Sequence, residues 1–288
     1  MIELSAYAKI NLHLHSERRR ADGYHDLQTV FCHLDLYDTV QLTWQNDTIE
    51  LISDTGLDVS TDLAGRAAIA LKAALGDQRL GCQIRVIKRI PAGGGLGGGS
   101  ADAAAVLRGL CSLWNVDPSL LHPIAAQLGA DVPFLLKGGL ALATGIGDQL
   151  QPIATHVTSP PMTLLFPGVP VATPDAYRWM DEDGLDCDRD GAKHLERLVE
   201  NLRTNSNNFI KHVYNGFDQP VRQRTPEIDQ VFRAARGAGL QPLLCGSGST
   251  VAAFGLGDIN HPALRAFQPI HTRLIGLNGP YDAKGSSS

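Results

Sequence analysis

The first fifteen residues alternate with unusual regularity. Ile2, Leu4, Ala6, Ala8, Ile10, Leu12 and Leu14 take one parity, while Glu3, Ser5, Tyr7, Lys9, Asn11, His13 and His15 take the other. A period of two belongs to a strand. Turn chemistry in Arg18-Arg19-Arg20-Ala21-Asp22-Gly23 ends it, and shorter strand patterns follow at residues 28–33, 39–44, 49–52 and 82–90. Between the last two, residues 63–75 place Ala67, Ala68, Leu71, Ala74 and Leu75 at helical spacing. Strands and helices are thus mixed without the strict alternation of a parallel sheet, which predicts an α+β fold.

A second helix is expected from Ser100, whose hydroxyl can cap the first free N–H groups, with Val106, Leu110, Leu113 and Trp114 on its buried side. A third is expected over residues 119–128, stopped by Gly129 in the left-handed position. Residues 151–161 hold three prolines and no amphipathic period. They mark the expected boundary between a unit of residues 1–152 and one of residues 153–283. Beyond it the pattern predicts a strand at 162–166, helices at 194–202 and 227–238, and two strands, 242–244 and 250–254, joined by a glycine-serine turn. The acidic run 181–190 reads as a solvated loop and residues 284–288 as a frayed tail.

At 288 residues and 43% hydrophobic, the chain can bury one large core or two ordinary ones. A net charge of −5 excludes a chain-wide nucleic-acid footprint, so any polyanion must be met by local charge. The five cysteines are scattered, with no C-x-x-C pair, which favours reduced thiols in a cytosol over disulfides or zinc. The opening residues MIELSAYAK lack a basic segment followed by an apolar stretch, and no run of 18 apolar residues occurs. Neither export nor membrane insertion is expected, and the expected compartment is the cytoplasm.

Chemistry concentrates in PAGGGLGGGSADAAA, residues 91–105, where six of seven consecutive positions are glycine apart from Leu96. A flexible linker would not sit between an alternating strand and an amphipathic helix. Gly93, Gly95 and Gly98 satisfy G-x-G-x-x-G, but a dinucleotide fold needs a second parallel strand ending in an acid about 20 residues on, and none follows. In a third reading, missing Cβ atoms let backbone N–H groups close on phosphate oxygens while the helix start adds its positive dipole end. No lysine follows the glycines, so this is not a Walker A loop.

With its flanking motifs, this loop resembles the central phosphate-binding motif of the GHMP kinase superfamily. The other motifs are Ala8-Lys9-Ile10-Asn11-Leu12, Ala21-Asp22-Gly23-Tyr24-His25, Gly129-Ala130-Asp131-Val132-Pro133 and Cys245-Gly246-Ser247-Gly248-Ser249. Together they span nearly the whole chain. The resemblance implies a two-domain α+β GHMP kinase fold. Its N-terminal domain would be ribosomal-protein-S5-domain-2-like, its C-terminal domain ferredoxin-like, and its active site would lie in the cleft between them. Ala8-Lys9-Ile10-Asn11-Leu12 with Ala21-Asp22-Gly23-Tyr24-His25 narrows the implied activity to ATP-dependent phosphorylation of the 2-hydroxyl of 4-(cytidine 5′-diphospho)-2-C-methyl-D-erythritol in non-mevalonate isoprenoid synthesis. Another GHMP-type alcohol kinase, of the homoserine or mevalonate class, and a non-catalytic nucleotide sensor are the alternatives.

Residue by residue, the resemblance makes Asp131 a general base and Lys9 the cation beside it and the transferring phosphoryl. By pattern alone, Lys9 and Asn11 could equally form a polar solvent face, and Asp131 could be the N-cap of the next helix. ATP would lie on Pro91, Ala92, Gly93, Gly94, Gly95, Leu96, Gly97, Gly98, Gly99, Ser100 and Ala101, with Asp62, Leu63 and Lys88 on the adenine side and Gly246 and Ser247 at the phosphates. Magnesium is the implied cofactor, with Ser100 its candidate contact. Asp102 reads equally as a first-turn acid complementing the dipole. Ala101-Asp102 and Asp62 depart from the superfamily's serine-asparagine and asparagine. For the cytidine diphosphate partner the resemblance points to Asn11, Tyr24, His25, Thr173, Tyr177 and Gly248, with Tyr24 stacking on the cytosine, Tyr177 opposite and His25 reading its polar edge. By pattern alone, Tyr24 and His25 could be surface residues and Gly246 to Ser249 a simple turn.

Overall fold

The computed structural model describes residues 1–21, 23, 25–184 and 189–275. The alternating N-terminus forms strand β1 (Ile2–Arg19), antiparallel to β2 (His25–Asn46). The separate strands expected at 28–33 and 39–44 are therefore one strand. Its two halves serve different neighbours. Residues 39–46 pair with β4 (Leu80–Ile87), itself flanked in parallel by β3 (Ile49–Ser53), whereas residues 29–32 pair with β5 (Leu140–Thr144), which β6 (Gln149–Pro152) extends. Strand β4 stops short of the expected residue 90 because the N–H groups of Arg89 and Ile90 leave the ladder for the Asp38 carboxylate.

Helices α1 (Leu63–Leu75), α2 (Gly98–Leu113), α3 (Leu121–Leu128) and α4 (Val132–Lys137) pack together beside this sheet. Helix α1 has the predicted bounds: Asp62 caps it by accepting from Ala64 N at 2.9 Å, and Gly76 closes it at φ 68°. Helix α2 starts two residues before the expected Ser100. Gly97, at φ 71°, makes the entry turn, so Ser100 lies inside the first turn and no side chain caps the helix. Gly129 follows α3 but is extended (φ 165°, ψ 157°) rather than left-handed, because the chain must run straight on into Asp131 and α4.

A second, all-antiparallel sheet holds β7 (Met162–Leu165). The segment after it forms α5 (Thr173–Glu182) and α6 (Arg189–Arg203), then returns to the first sheet as β8 (Tyr214–Asn215), parallel to β1. Helices α7 (Asp218–Arg224) and α8 (Pro226–Gly237) lead to β9 (Gln241–Leu244), β10 (Val251–Phe254) and β11 (Ile270–Thr272). The order β11-β7-β10-β9 is the 4-1-3-2 arrangement of a ferredoxin-like sheet. The acidic run expected as a loop is partly helical: Ala176 and Met180 are buried, and that stripe carries α5 through Asp181 and Glu182. Residues 185–188 and the expected tail lie outside the described residues.

Both parities of β1 are buried. Ala6, Ala8, Ile10 and Leu12 enter the main core, and the polar side is equally covered, with Lys9, Asn11, His13 and His15 all buried. The expected alternative of a polar solvent face is therefore excluded. The cover is α6 and β8: a Cβ on Gly191 would stand 2.3 Å from His15 Nδ1, and the Tyr214 ring stacks on His13 at 5.5 Å. Burial, followed by the neighbouring His15 and His194, holds the His13 pKa down to about 3.

Phe134 ties this core to the loop before α4. It is fully buried, stacked on Phe31 at 4.9 Å and edge-on to His33 at 5.0 Å. Phe134→Ala is expected to cost about 3–5 kcal/mol of stability and Phe134→Leu clearly less, as read from denaturant unfolding.

Candidate active site

Lys9 reaches the site through an irregularity in its own strand. The β1–β2 register shifts between Tyr7 and Lys9, and there the Lys9 N–H leaves the ladder and donates to Leu96 O at 2.9 Å. Strand and glycine loop are thereby joined at the residue whose side chain matters. The ammonium donates to Asn11 Oδ1 at 2.9 Å, lies 3.3 Å from Asp131 Oδ2 and sits 5.6 Å from the centre of the Phe31 ring. Asn11 Nδ2 donates to Thr29 Oγ1 at 2.7 Å, and Thr29 donates on to His13 O at 2.6 Å. This chain fixes which way the Asn11 amide faces. Asn11 can then only accept from Lys9.

Asp131 occupies the residue before α4, yet its carboxylate makes no capping hydrogen bond. The N-cap alternative left open by the sequence does not hold: the side chain turns to Lys9, and Pro133 reduces the number of first-turn N–H groups that need a cap. The Asp131 side chain is 30% exposed against 6% for Lys9, so the carboxylate faces the open space and the ammonium backs it. That space is a cavity of about 180 Å³ lined by both residues, Asn11, Gly95, Gly97 and Gly246, among others.

The glycine loop is compressed against two neighbours. A Cβ on Gly95 (φ 75°) would stand 1.9 Å from Cys245 O, and one on Gly97 would stand 3.0 Å from Lys9 Cγ. Gly95 therefore needs glycine for space as well as for backbone angle, and Gly97 for its backbone angle above all. The turn at Gly246, Ser247 and Gly248 closes from the other side. A Cβ on Gly246 (φ 56°) would press on Gly95 O at 3.1 Å and stand 3.4 Å from Lys9 Nζ, and Ser247 Oγ pairs with Thr173 Oγ1 at 2.9 Å. Asn215 holds this turn by donating to Leu244 O at 2.8 Å and Gly246 O at 2.7 Å. Pro91, Ala92 and Gly93 lie at the outer end of the loop, beside a second cavity of about 500 Å³. Leu96 and Ala101 point into the core, so only their backbone can meet a ligand. The first-turn N–H groups of Gly98, Gly99 and Ser100 have no intrahelical acceptor and form, with the glycines, a cradle for anionic oxygens.

Lys88 lies behind that cradle. Its ammonium is shared by Asp38 Oδ2 at 2.5 Å and Asp102 Oδ2 at 2.6 Å. Asp102 is buried, with Oδ1 unpartnered, so it is not a simple solvent-facing first-turn acid. Burial pushes its pKa up to about 7, against the pull of Lys88 and with the added push of Asp38 and Asp62. Asp62 is engaged as the cap of α1 and accepts from Thr55 Oγ1 at 3.0 Å. A Cβ on Gly99 would meet Leu63 at 3.5 Å, and one on Gly98 would meet Lys88 Nζ at the same distance, which places the expected adenine-side residues around the start of α2.

On the far side of the small cavity, His25 is buried with Nε2 2.7 Å from Asp181 Oδ1. Tyr177, expected opposite a stacked base, packs instead on the His25 ring at 5.0 Å and edge-on to Phe217 at 4.8 Å. The reason is that α5 turns its inner face toward the end of β2. Tyr177 is also close enough to Asp131 for that charge to add to the effect of burial, which raises its phenol to about 12. Gly248 lies against Leu244 rather than in the cavity. Tyr24 lies outside the described residues. Thr29, Asp38, Asp181 and Asn215 lie in no motif of the sequence. Each acts through a partner distant in sequence, and only an isolated polar residue in an apolar strand, as for Thr29 and Asp38, could have signalled it.

Residues 62–139 match the model of the GHMP kinases N terminal domain, which gives the class to which the loop and its fold belong. A 4-diphosphocytidyl-2-C-methyl-D-erythritol kinase of Xanthomonas euvesicatoria pv. vesicatoria is 42% identical over 85% of this chain and 79% of its own. A protein of the same name from Chlorobaculum tepidum is 41% identical over 94% of both chains. The crystal structure of a 4-(cytidine 5′-diphospho)-2C-methyl-D-erythritol kinase superposes with a TM-score of 0.80 at 35% identity, covering 95% of this chain and 99% of that one. The chain belongs to the 4-diphosphocytidyl-2-C-methyl-D-erythritol kinase family.

Asp102 gives the site a pH signature. A carboxyl whose folded-state pKa lies above its unfolded value holds its proton more tightly when folded, so ionising it costs stability as pH rises from its ordinary 3.8 toward about 7. Asp102→Asn removes that cost. The variant is expected to gain on the parent progressively across this interval, by on the order of 1–3 kcal/mol, and then level off. Thermal unfolding at a series of pH values reads the difference, and a difference independent of pH would contradict the assignment.

Proposed function

We propose that this protein transfers the γ-phosphoryl group of ATP to the 2-hydroxyl of 4-(cytidine 5′-diphospho)-2-C-methyl-D-erythritol, as the names of its relatives indicate. The observation that carries the reading is the Lys9–Asp131 contact at 3.3 Å beside the glycine cradle. The two residues come from distant parts of the chain, and the more exposed carboxylate faces the cavity. In this reading the acceptor hydroxyl enters beside Asp131, which takes its proton as the oxygen attacks the γ-phosphorus; the bond to the β-γ bridging oxygen breaks and ADP leaves. Lys9, held by Asn11, stands where negative charge builds on the transferring group. Its orientation is set before substrate arrives, which is where preorganised charge is most effective.

Phosphate oxygens fit the N–H groups of the glycine loop and the start of α2, where a Cβ at Gly95 would collide with the Cys245 carbonyl. Among the described residues no group of three or more His, Cys, Asp or Glu is placed to hold a metal. The donor set suits a magnesium ion carried mainly by phosphate oxygens and water, with Ser100 supplying a hydroxyl. A bound ion would supply neutralising charge to the phosphates, with Ser100 the residue that would help to hold it. The cavity around Lys9 takes the erythritol, and the His25 side takes the cytidine. In this reading residues 1–152 and the described residues of the second unit, 153–184 and 189–275, supply the two walls, although β8 and α6 of the second unit pack on the first sheet. No described helix is long and apolar enough to cross a membrane, and the cytoplasm is the compartment this activity implies.

Lys9→Ala and Asp131→Asn are each expected to lower kcat by about 10²–10⁴-fold. ADP release with the cytidine-bearing substrate, compared with alcohols lacking the cytidine diphosphate, is the assay. Turnover of either variant within a few-fold of the parent, or equal turnover of the truncated alcohols, would overturn the reading.

A further inference from the structure

The end of the β1–β2 hairpin is closed by a residue from the other half of the chain. Arg19 and His25 are its last register pair, and Asp181 of α5 meets both, with Oδ1 2.7 Å from His25 Nε2 and Oδ2 3.7 Å from Arg19. The carboxylate is divided between two partners, and its orientation is set by both. Tyr177, one turn earlier on α5, lies flat on the His25 imidazole, and its other contact, Phe217, lines the cavity that holds Lys9 and Asp131. His25 is thus fixed by its plane and by one nitrogen. Among the described residues its other nitrogen, Nδ1, has no hydrogen-bond partner and is not among the buried unpaired atoms. It is the end of the ring left for a ligand.

A carboxylate accepts and cannot donate, so contact with Asp181 requires a proton on Nε2. In a neutral imidazole that leaves Nδ1 as an acceptor. An acceptor suits the exocyclic amino group of cytosine and opposes the carbonyl that uracil carries at the same position. We infer that Asp181 is a positioning residue for base selection: it holds His25 in the Nε2–H tautomer, presents Nδ1 as an acceptor, and so makes the site prefer a cytidine over a uridine diphosphate. The inference rests on the functional reading above, in which His25 lies on the cytidine side. Arg19 and Tyr177 serve the same end by fixing the carboxylate and the ring plane.

A built acceptor rejects a mismatched base because two acceptors are left facing each other. Asp181→Ala is expected to raise KM for the cytidine substrate about tenfold, more than it changes kcat, and to leave KM for ATP unaltered. The preference for the cytidine substrate over its uridine analogue should fall by a similar factor. Asp181→Asn, which keeps an accepting oxygen, should recover most of both losses. Nitrogen-15 spectra of His25 in the protein without substrate give a readout that a merely structural role would not move: Nε2 protonated in the parent, and mixed tautomers in Asp181→Ala. An unchanged cytidine preference in both variants, or a parent spectrum with a proton on Nδ1, would overturn the inference. If Asp181→Ala does not fold, the Asp181→Asn kinetics and the parent spectrum decide it. A parent that phosphorylates neither nucleotide substrate overturns the functional reading instead, and the spectra still report which nitrogen Asp181 holds protonated.

Discussion

A lysine ammonium almost wholly removed from water is the constraint around which this site is built. Left alone it would cost several kcal/mol, and a buried pair broken by loss of one partner costs about 3–5 kcal/mol. Lys9 is satisfied by an amide oxygen, a carboxylate and an aromatic face, each from a different element. Asn11 lies two residues along the same strand, Phe31 comes from the paired strand, and Asp131 precedes α4. The arrangement is stable only when sheet, helix layer and loop are all in place, so the charge is assembled by the fold and not by any local segment.

The glycine loop follows from the same crowding. Its peptide at Leu96 accepts the Lys9 N–H, and its Gly95 lies so close to Cys245 that no side chain fits. A loop pressed between a strand and a turn keeps its N–H groups in one place without ligand, which lowers the ordering cost of binding. Asn215 extends the support by holding the carbonyls of Leu244 and Gly246. Short strand β8, which looks incidental in the topology, is thereby the brace of the turn that closes the cradle.

Two lysines flank the start of α2 and differ in their surroundings. Lys9 has one carboxylate, partly open to the cavity, whereas Lys88 lies between Asp38 and Asp102, both buried. The first pair leaves an acid able to meet a substrate. The second binds its cation into the protein and leaves Asp102 with an unpartnered oxygen and a raised affinity for protons. Similar residue types therefore have different chemistry, and exposure makes the difference.

Local pattern by itself determined the alternating strand β1, the bounds of α1, the α+β class, and the cradle at the glycines, because each depends on spacing and backbone freedom within a few residues. Resemblance to the superfamily added Lys9 and Asp131 as partners, which spacing could not do across more than a hundred residues. Tertiary structure alone decided that the polar side of β1 is buried, since α6 and β8 come from the far half of the chain to cover it. It also decided that Asp131 turns from its helix to a lysine, that Tyr177 lies on His25, and that Asp181, in what reads as a solvated acidic run, holds that histidine. In each case the side chain's partner is remote in sequence, and the choice between solvent, cap and ion pair is made by what folding brings within about 3 Å of it.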